Sequence, residues 1–320
     1  MTTWQGWHRF ATTEPPAPPQ PGQAPRSREQ RLAYHSRFVT VRTPAIDTLA
    51  HQVRALMLLG RHQAVTARPS VIVTGPAAAG KTTALLNVGR ACHLAHLRKH
   101  PAPPGHRPQV PVAYLLVPPG ATAKTLTLEF ARYLAIPTTP RMTTAQITDA
   151  VCHTYTAAGV RLVLLDEIHR LNPRTTTGAQ TADLLKDLTE RLPATFVYAG
   201  IDVAATPLFS GVRGAQLAGR ASLITCGPLP ARHGHARPFT DVITDLEGAL
   251  DLTAHRPGTL PRHAPYLHQR TAGRIGSLTR LIRQAALTAI CDGTEKITKT
   301  SLDAIQLDHL AEDQRRPRTR

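Results

Sequence analysis

Two segments of the chain carry residues suited to bind a nucleoside triphosphate and its metal ion. The first runs from Val71 to Thr83 and contains a match to G-x-x-x-x-G-K-[ST] directly after an apolar stretch. The second runs from Arg161 to Glu167 and ends in two neighbouring carboxylates after an apolar run. Acidic groups beside a buried strand are costly unless something there uses them. The two segments together therefore predict a site for ATP and Mg²⁺.

The phosphate loop, defined here as residues 75–83, has a physical task for each position. Gly75 and Gly80 allow a tight backbone path on which successive N–H groups point at phosphate oxygens. The loop leads into a helix, whose N-terminal end favours a polyanion. Lys81 is suited to contact the β and γ phosphates, and Thr82 to coordinate Mg²⁺. The predicted nucleotide-binding residues of the loop are Gly75, Pro76, Ala77, Ala78, Ala79, Gly80, Lys81, Thr82 and Thr83.

The two carboxylates after the second segment are predicted to complete the chemistry. Asp166 stands at the end of the apolar strand and is suited to hold Mg²⁺ through water, next to Thr82. Glu167 is suited to polarise the water molecule that attacks the γ phosphate. The sequence thus predicts an ATPase in which Glu167 is catalytic.

The balance of charge favours a polyanionic partner. The chain has 38 lysines and arginines against 21 acidic residues, for a net charge of +17 with histidine neutral. Neutralisation of phosphates makes nucleic acid the first candidate partner; alternatively, part of the excess is solvated arginine. The four cysteines form no C-x-x-C pair, and no apolar run reaches the length of a membrane span. We therefore expect a cytoplasmic protein that has no membrane segment.

Hydrophobic periodicity predicts an α/β fold with a three-layer parallel sheet, followed by a small all-helical domain. Strands are expected at 71–74, 112–117, 162–165 and 195–199, and helices at 43–60, 81–100, 123–134, 144–158 and 180–192. Further helices are expected at 239–252, 264–271, 277–289 and 300–313. Parallel sheets bind ligands at the carboxyl ends of their strands, which is where both motifs fall.

Composition divides the chain into four parts. These are a Pro-rich disordered leader at 1–40, the α/β core at 41–230, the helical domain at 231–312 and a basic tail at 313–320. The leader is too polar and too rich in proline to fold alone. It is either an unstructured extension or a partner-binding segment with Trp4 and Trp7 as hydrophobic anchors.

Several longer segments resemble one group of proteins. A phosphate-loop core followed by a helical lid is similar to the AAA+ ATPases. Within them, the sequences at 164–172, 183–202, 211–220 and 271–286 resemble the TniB/TnsC group of transposition regulators. The resemblance implies an ATPase that assembles on DNA as a helical or ring-like homo-oligomer and brings a transposase, or a related mobile-element protein, to its target.

The resemblance also implies that ATP lies between subunits. Arg220 stands where the group carries an arginine that reaches the γ phosphate of the neighbouring subunit, with Arg213 as second choice. Alternatively, Arg220 is an ordinary surface arginine. At the end of the strand at 195–199, where the related ATPases have a polar residue that orients water, only Tyr198 or Asp202 is available.

In the helical domain, related ATPases often place an arginine three residues after a glycine. Three residues after Gly276 this chain has Thr279, so the neighbouring Arg280 is the predicted nucleotide contact. Alternatively, Arg280 faces solvent or DNA.

The expected DNA contacts follow from the same resemblance. Thr122 and Lys124 stand in a loop that faces the DNA backbone in the group, and Arg170 and Arg174 form a second basic patch. The alternative for Thr122 is an N-cap of the following helix. No recognition helix is evident, so contacts to the backbone that do not depend on base sequence are expected.

Two other functions use the same phosphate loop. One is a nucleotide-dependent signalling or defence switch that binds a protein partner through the leader, without DNA. The other is a small-molecule kinase, against which the water-activating Glu167 argues.

Overall fold

The computed structural model describes residues 1–20, 22–37, 41–62, 68–101, 109–171, 176–203, 206, 208–209, 211–309 and 311–312. The chain forms two compact units. The first comprises residues 1–13, 45–77 and 81–226, and the second comprises residues 14–44, 78–80 and 227–320. Arg174 and the basic tail at 313–320 lie outside the described residues.

A parallel five-stranded sheet forms the centre of the first unit. Its strands are β1 (Ser70–Thr74), β2 (Val112–Leu116), β3 (Leu162–Asp166), β4 (Thr195–Gly200) and β5 (Ala221–Thr225). They lie in the order β2-β3-β4-β1-β5. Strands β1 to β4 are almost entirely buried, as expected for apolar runs in a parallel sheet. The predicted α/β class and the four predicted strands are confirmed.

The outer strand β5 is absent from the sequence prediction. It pairs with β1 from Ser70↔Ala221 to Thr74↔Thr225. Only Ile224 of its five residues is buried. An edge strand with one buried side chain has no alternating apolar signal, and its pairing is settled by the neighbouring strand.

The helices agree with most of the predicted positions. They are α1 (Trp4–Thr12), α2 (Arg28–Ser36), α3 (Pro44–His62), α4 (Lys81–Lys99), α5 (Ala123–Tyr133), α6 (Thr144–Ala157), α7 (Thr176–Arg191), α8 (Gly211–Ala218), α9 (Pro238–Gly248), α10 (Thr259–Arg262), α11 (Ala264–Thr271), α12 (Ile275–Cys291) and α13 (Lys299–Asp303). The helix expected at 300–313 is shorter in the structure. Past Asp303, the carbonyl of Ile305 accepts a hydrogen bond from Arg270 Nη2 at 2.5 Å, so a side chain takes the place of a helical donor.

The leader contains two helices where we expected disorder. Helix α1 belongs to the first unit, and its Trp7 is completely buried. The indole stacks on Tyr114 of β2 with 5.8 Å between ring centroids. A Cβ added to Gly89 of α4 would lie 2.7 Å from Trp7, so the glycine makes room for the ring. The buried tryptophan supplies the apolar area that the rest of the leader lacks.

Helix α2 belongs to the second unit and begins with a capping box. The Ser27 side chain accepts a hydrogen bond from the N–H of Gln30, whose side chain bonds back to Ser27. Tyr34 donates from its hydroxyl to the carbonyl of Ala249 at 2.8 Å. The core of this unit is apolar and comes mainly from α9, α11 and α12.

Acid is expected to weaken the contact between α1 and α4. His8 Nδ1 lies 3.2 Å from Nε2 of the fully buried His93. Burial, followed by the nearby His8 and His96, lowers the pKa of His93 to about 4. When α1 is detached from α4, His93 is expected to have an ordinary histidine pKa of roughly 6.5. At pH values between about 6.5 and about 4, the detached form therefore binds more protons than the form in which α1 is packed on α4. The contact is therefore fully stable above pH 6.5 and loses about 3 kcal/mol as the pH falls towards 4.

Tryptophan emission measures this docking directly, because both tryptophans of the chain, Trp4 and Trp7, lie in α1. Lowering the pH from about 7 to about 4.5 is expected to shift the emission to longer wavelength. Replacing His93 by leucine removes the titrating group and is expected to abolish the shift. An equal shift in H93L, or none in the parent protein, would contradict the assignment.

Candidate nucleotide-binding site

The phosphate loop connects β1 to α4 at the carboxyl edge of the sheet. Gly75 has φ +152°, and a Cβ added there would lie only 1.9 Å from the carbonyl oxygen of Cys226. Only glycine fits at this position. Gly80, with φ +88°, has a backbone conformation that side chains disfavour. The two glycines therefore have the structural role that the motif predicts.

Lys81, at the start of α4, directs its ammonium group back into the loop. Its Nζ donates to the carbonyls of Gly75 at 2.8 Å and Pro76 at 2.7 Å. Burial lowers the pKa of Lys81, and the nearby carboxylates, Glu167 first among them, oppose that shift. A buried ammonium so placed is suited to bind phosphate oxygens at the loop.

Asp166 ends β3 as a buried carboxylate. Its Oδ2 accepts a hydrogen bond from the hydroxyl of Tyr114 at 3.0 Å, and its Oδ1 accepts one from the N–H of Glu167 at 2.9 Å. Burial raises the pKa of Asp166, while hydrogen bonds from Thr82, Tyr114 and the N–H of Glu167 act in the opposite direction. The structure thus brings Thr82 and Asp166 together although they are far apart in the sequence.

These two oxygen groups fit a magnesium ion. Mg²⁺ prefers hard oxygen ligands and usually keeps several waters, with one or two protein ligands and the substrate phosphates completing its shell. Thr82 supplies a hydroxyl and Asp166 a carboxylate, next to the loop that is suited for phosphates. The residues therefore agree with the sequence prediction of Mg²⁺ held by Thr82 and Asp166.

Glu167 follows in a left-handed backbone conformation, with φ +59°. This conformation is uncommon for a residue with a Cβ and occurs mostly where the surrounding structure demands it. Its Oε2 lies 3.5 Å from His169 Nε2 and 3.4 Å from Arg170 Nε. The side chain is about three quarters buried, at 25% exposed, and remains accessible to a water molecule.

Of the two polar residues expected to orient water after β4, Tyr198 does not qualify. It is completely buried, and its ring lies against Phe196 and Phe209. Within the described ranges, its hydroxyl has no hydrogen-bond partner. A tyrosine inside the apolar core cannot reach the carboxyl edge of the sheet. Asp202 is exposed beyond the end of β4.

A family model described as Bacterial TniB protein matches residues 31–222, which is more than half of the chain. The chain belongs to the TniB family. This match confirms the resemblance deduced from the sequence, and it spans the phosphate loop, Asp166, Glu167 and Arg220. No curated protein matches the chain by sequence.

Solved structures show the fold of this TniB chain to be that of the AAA+ ATPases. The Orc1 protein of Aeropyrum pernix, solved in complex with DNA, matches with a TM-score of 0.59 and 16% identity, over 85% of this chain and 66% of that one. The Orc2 protein of Aeropyrum pernix, in ADPNP and ADP complexes, matches with a TM-score of 0.58 and 14% identity, over 92% and 69%. Cdc6p of Pyrobaculum aerophilum matches with a TM-score of 0.57 and 16% identity, over 82% and 66%. The TniB chain thus spans about two thirds of the length of the Orc1 structure.

Arg220 lies at the opposite edge of the sheet from the phosphate loop of its own chain. Its carbonyl accepts from the N–H of Ser70, at the amino end of β1. The loop begins after Thr74, so the length of β1, roughly 13 Å, separates the two. The guanidinium lies 3.3 Å from Glu190, with both side chains 43% exposed. Such exposed pairs are weak, so Arg220 is available to a second molecule.

The side chain of Arg213 lies outside the described residues.

The arginines of the helical domain differ in their surroundings. Arg280, predicted as a nucleotide contact, is exposed on α12. The hydroxyl of Thr279 bonds to the carbonyl of Ile275 at 2.9 Å, so it is engaged within the helix. Arg274, which the sequence did not single out, is half-buried, and its Nε and Nη1 have no partner in the described part of the chain. Unpaired guanidinium N–H groups are suited to an anionic ligand, such as a phosphate.

Tyr114 is another residue that the sequence did not reveal. It holds Asp166 through its hydroxyl and carries Trp7 of the leader on its ring. Its position inside an apolar strand is typical of an ordinary core residue. Only the pairing of β2 with β3, in which Leu116 is opposite Asp166, brings it beside the carboxylate.

The residues predicted to contact DNA differ in exposure and in their hydrogen-bond partners. Thr122 is the N-cap of α5 and forms a capping box with Thr125, as its alternative interpretation stated. Lys124 is exposed, with Nζ 3.4 Å from the carbonyl of Pro140. Arg170 is partly buried beside Glu167, and its Nη1 donates to the carbonyl of Val117 at 3.4 Å. Arg170 is therefore tied to the carboxylate site, and Lys124 remains the freer candidate.

No helix within the described ranges combines the length and apolar character that a membrane crossing requires.

Proposed function

We propose that this TniB family member is an ATP-dependent, DNA-binding ATPase that oligomerises on DNA and regulates transposition by recruiting a transposase to its target. The observation that carries the proposal is the meeting of Lys81, Thr82, Asp166 and Glu167 at the carboxyl edge of one parallel sheet. These are the groups required to bind a triphosphate and direct water at it.

Each group has one task in hydrolysis. Lys81 and the N–H groups of the loop neutralise and orient the β and γ phosphates. Thr82 and Asp166 would hold Mg²⁺, which would neutralise phosphate charge when bound. Glu167 accepts a hydrogen bond from the attacking water and takes its proton as the water oxygen bonds to the γ phosphorus and the bond from that phosphorus to ADP breaks. Arg220 of an adjoining copy stabilises the negative charge that develops in the transition state.

Three observations support DNA as partner. The net charge of +17 favours a polyanion. Lys124 is exposed at the start of α5 and available to a phosphate. The similar Orc1 structure was solved in complex with DNA. Since no recognition element is apparent, the proposed contacts go to the backbone and are independent of base sequence.

The position of Arg220 supports assembly of several copies. It lies too far from the phosphate loop of its own chain to act there, so it can complete only the site of a neighbour. The edge strand β5, which directly follows Arg220, exposes Leu223, with 55% of its surface accessible. We propose that ATP bridges subunits in the DNA-bound oligomer, and that its hydrolysis removes contacts between them.

The signalling switch, the other function considered, depended on Trp4 and Trp7 as free anchors for a protein partner. Trp7 is completely buried against β2 and α4. The structure therefore gives no observation that favours this alternative.

Sedimentation with DNA tests the proposed function. With duplex DNA and a slowly hydrolysed ATP analogue, the parent protein is expected to pellet as large complexes, and ADP or the K81A variant should prevent it. A transposase of the same mobile element is expected to pellet with the complex. Equal pelleting with and without nucleotide would contradict the role of ATP in assembly, and no pelleting with DNA would contradict the DNA partner.

A further inference from the structure

A histidine lies between the candidate base and the end of β4. His169 belongs to a short 3₁₀ turn, Ile168–Arg170, that directly follows Glu167. Its Nε2 lies 3.5 Å from Glu167 Oε2. On the other side of the ring, the N–H of Ile201 donates to Nδ1 at 3.1 Å. One imidazole thus touches both the carboxylate and the backbone at the end of the neighbouring strand.

The hydrogen bond from Ile201 determines which ring nitrogen carries the proton. Since a backbone N–H is a donor only, Nδ1 must act as acceptor and carries no hydrogen. The neutral ring then has its proton on Nε2, the nitrogen that faces Glu167. This arrangement points the N–H of His169 towards the carboxylate oxygen 3.5 Å away, and the ring is held by the backbone just after β4.

The end of β4 is shaped to hold this ring. A Cβ added to Gly200 would lie 2.9 Å from His169 Nδ1 and 3.1 Å from the backbone nitrogen of His169. Any side chain at position 200 would displace the imidazole. Neither Gly200 nor the buried Tyr198 of β4 offers a polar side chain at this edge, and Asp202 is exposed beyond the strand. His169 is the polar side chain that contacts both Glu167 and the backbone N–H of Ile201.

The end of β4 is also joined to the strand that carries the phosphate loop. Thr74 of β1 pairs with Gly200. Its hydroxyl oxygen accepts a hydrogen bond from the N–H of Val203 at 3.1 Å. The backbone on both sides of Ile201 is thus held by β1 at the residue that precedes the phosphate loop.

We propose that His169 is a positioning residue that couples the end of β4 to Glu167 and so sets the direction of the carboxylate for the attacking water. This inference rests on the proposed ATPase function and assigns it a further residue. In this role His169 acts through its contact with Glu167. Arg170, with Nε 3.4 Å from the same carboxylate oxygen, is the second group that restrains it.

Substitution of His169 separates positioning from binding. In the H169A variant, we expect kcat for ATP, measured with saturating DNA, to fall by about 10- to 100-fold, because a misdirected carboxylate loses catalytic geometry. KM for ATP is expected to stay within about threefold, since the phosphate loop is unchanged. In the H169Q variant, the side-chain amide provides an acceptor for Ile201 and a donor for Glu167, so at least half of kcat should return. The exposed His153, changed to glutamine, is the matched control.

The proton position provides a readout that does not depend on folding of a variant. Nitrogen NMR of the histidine rings in the parent protein is expected to show the proton of His169 on Nε2. Four results would overturn the proposal: a proton on Nδ1, an unchanged kcat in H169A, a raised KM with unchanged kcat in that variant, or an H169Q variant as slow as H169A. Each of these concerns only the role of His169, provided that the parent protein is active. A parent protein that hydrolyses no ATP would instead overturn the proposed function.

Discussion

Replacing Glu167 by glutamine is expected to slow ATP hydrolysis by about 10²- to 10⁴-fold while leaving ATP binding intact. Glutamine keeps the size of the side chain and can still lie near Arg170 and His169, but it cannot take a proton from water. Binding depends on Lys81 and the loop, which the substitution does not touch. Because nucleotide persists in the site, the variant should also accumulate as an assembled complex on DNA.

Single-turnover hydrolysis and binding of a fluorescent ATP analogue measure the two effects separately. The K81A variant is the opposite case, in which binding itself should be lost together with hydrolysis and assembly. Glu129, which forms an ion pair with Arg132 on α5, can be changed to glutamine as a matched control and should leave both unaffected. An E167Q variant that hydrolyses ATP at the parental rate would show that another group activates the water.

Removal of the Arg220 guanidinium is expected to lower kcat in the DNA-bound assembly by about 10³-fold or more. A cation that meets the transferring phosphoryl group only in the transition state contributes to the rate and little to ground-state binding. The R220A variant should therefore bind ATP with nearly parental affinity. Activity is measured with saturating ATP and DNA, and binding separately with the analogue.

Mixing experiments distinguish action on a neighbour from action within one chain. R220A subunits retain Glu167 and a complete phosphate loop, and E167Q subunits still bind ATP, assemble and retain Arg220, so a mixture of the two should hydrolyse more ATP than the sum of each alone. The E190Q variant removes the partner of Arg220 in its own chain. It should keep parental activity, because the exposed pair contributes little. A mixture with only additive activity, or an E190Q variant as slow as R220A, would assign Arg220 a structural role within its own subunit.

The chemistry of the site was largely predictable because it depends on local sequence. The phosphate loop requires glycine at particular backbone positions, and the clash of a Cβ at Gly75 with Cys226 shows why the motif tolerates nothing else there. Buried parallel strands are continuous apolar runs, so their ends are visible in the sequence. The carboxylates Asp166 and Glu167 stand at such an end, and their place in the site followed from that.

The capping box of α2 is a local signal of order within the leader. The pattern from Ser27 to Gln30 marks the start of a helix inside a segment that composition alone assigns to disorder. Composition averages over many residues, whereas a few well-placed side chains suffice to order a short helix against a partner.

The AAA+ core, the phosphate loop and the two acidic groups were predictable because they show as local patterns of glycine, apolar and acidic residues. The contacts between residues distant in the sequence were not. The sequence by itself did not determine that Tyr114 holds Asp166, that Trp7 packs behind Tyr114, or that His169 bridges Glu167 and Ile201. Each of these contacts depends on strand order and on packing between elements. In the sequence, Tyr114 is typical of a core residue, Trp7 of a leader and His169 of a surface turn, so the neighbouring residues give no sign of the contact.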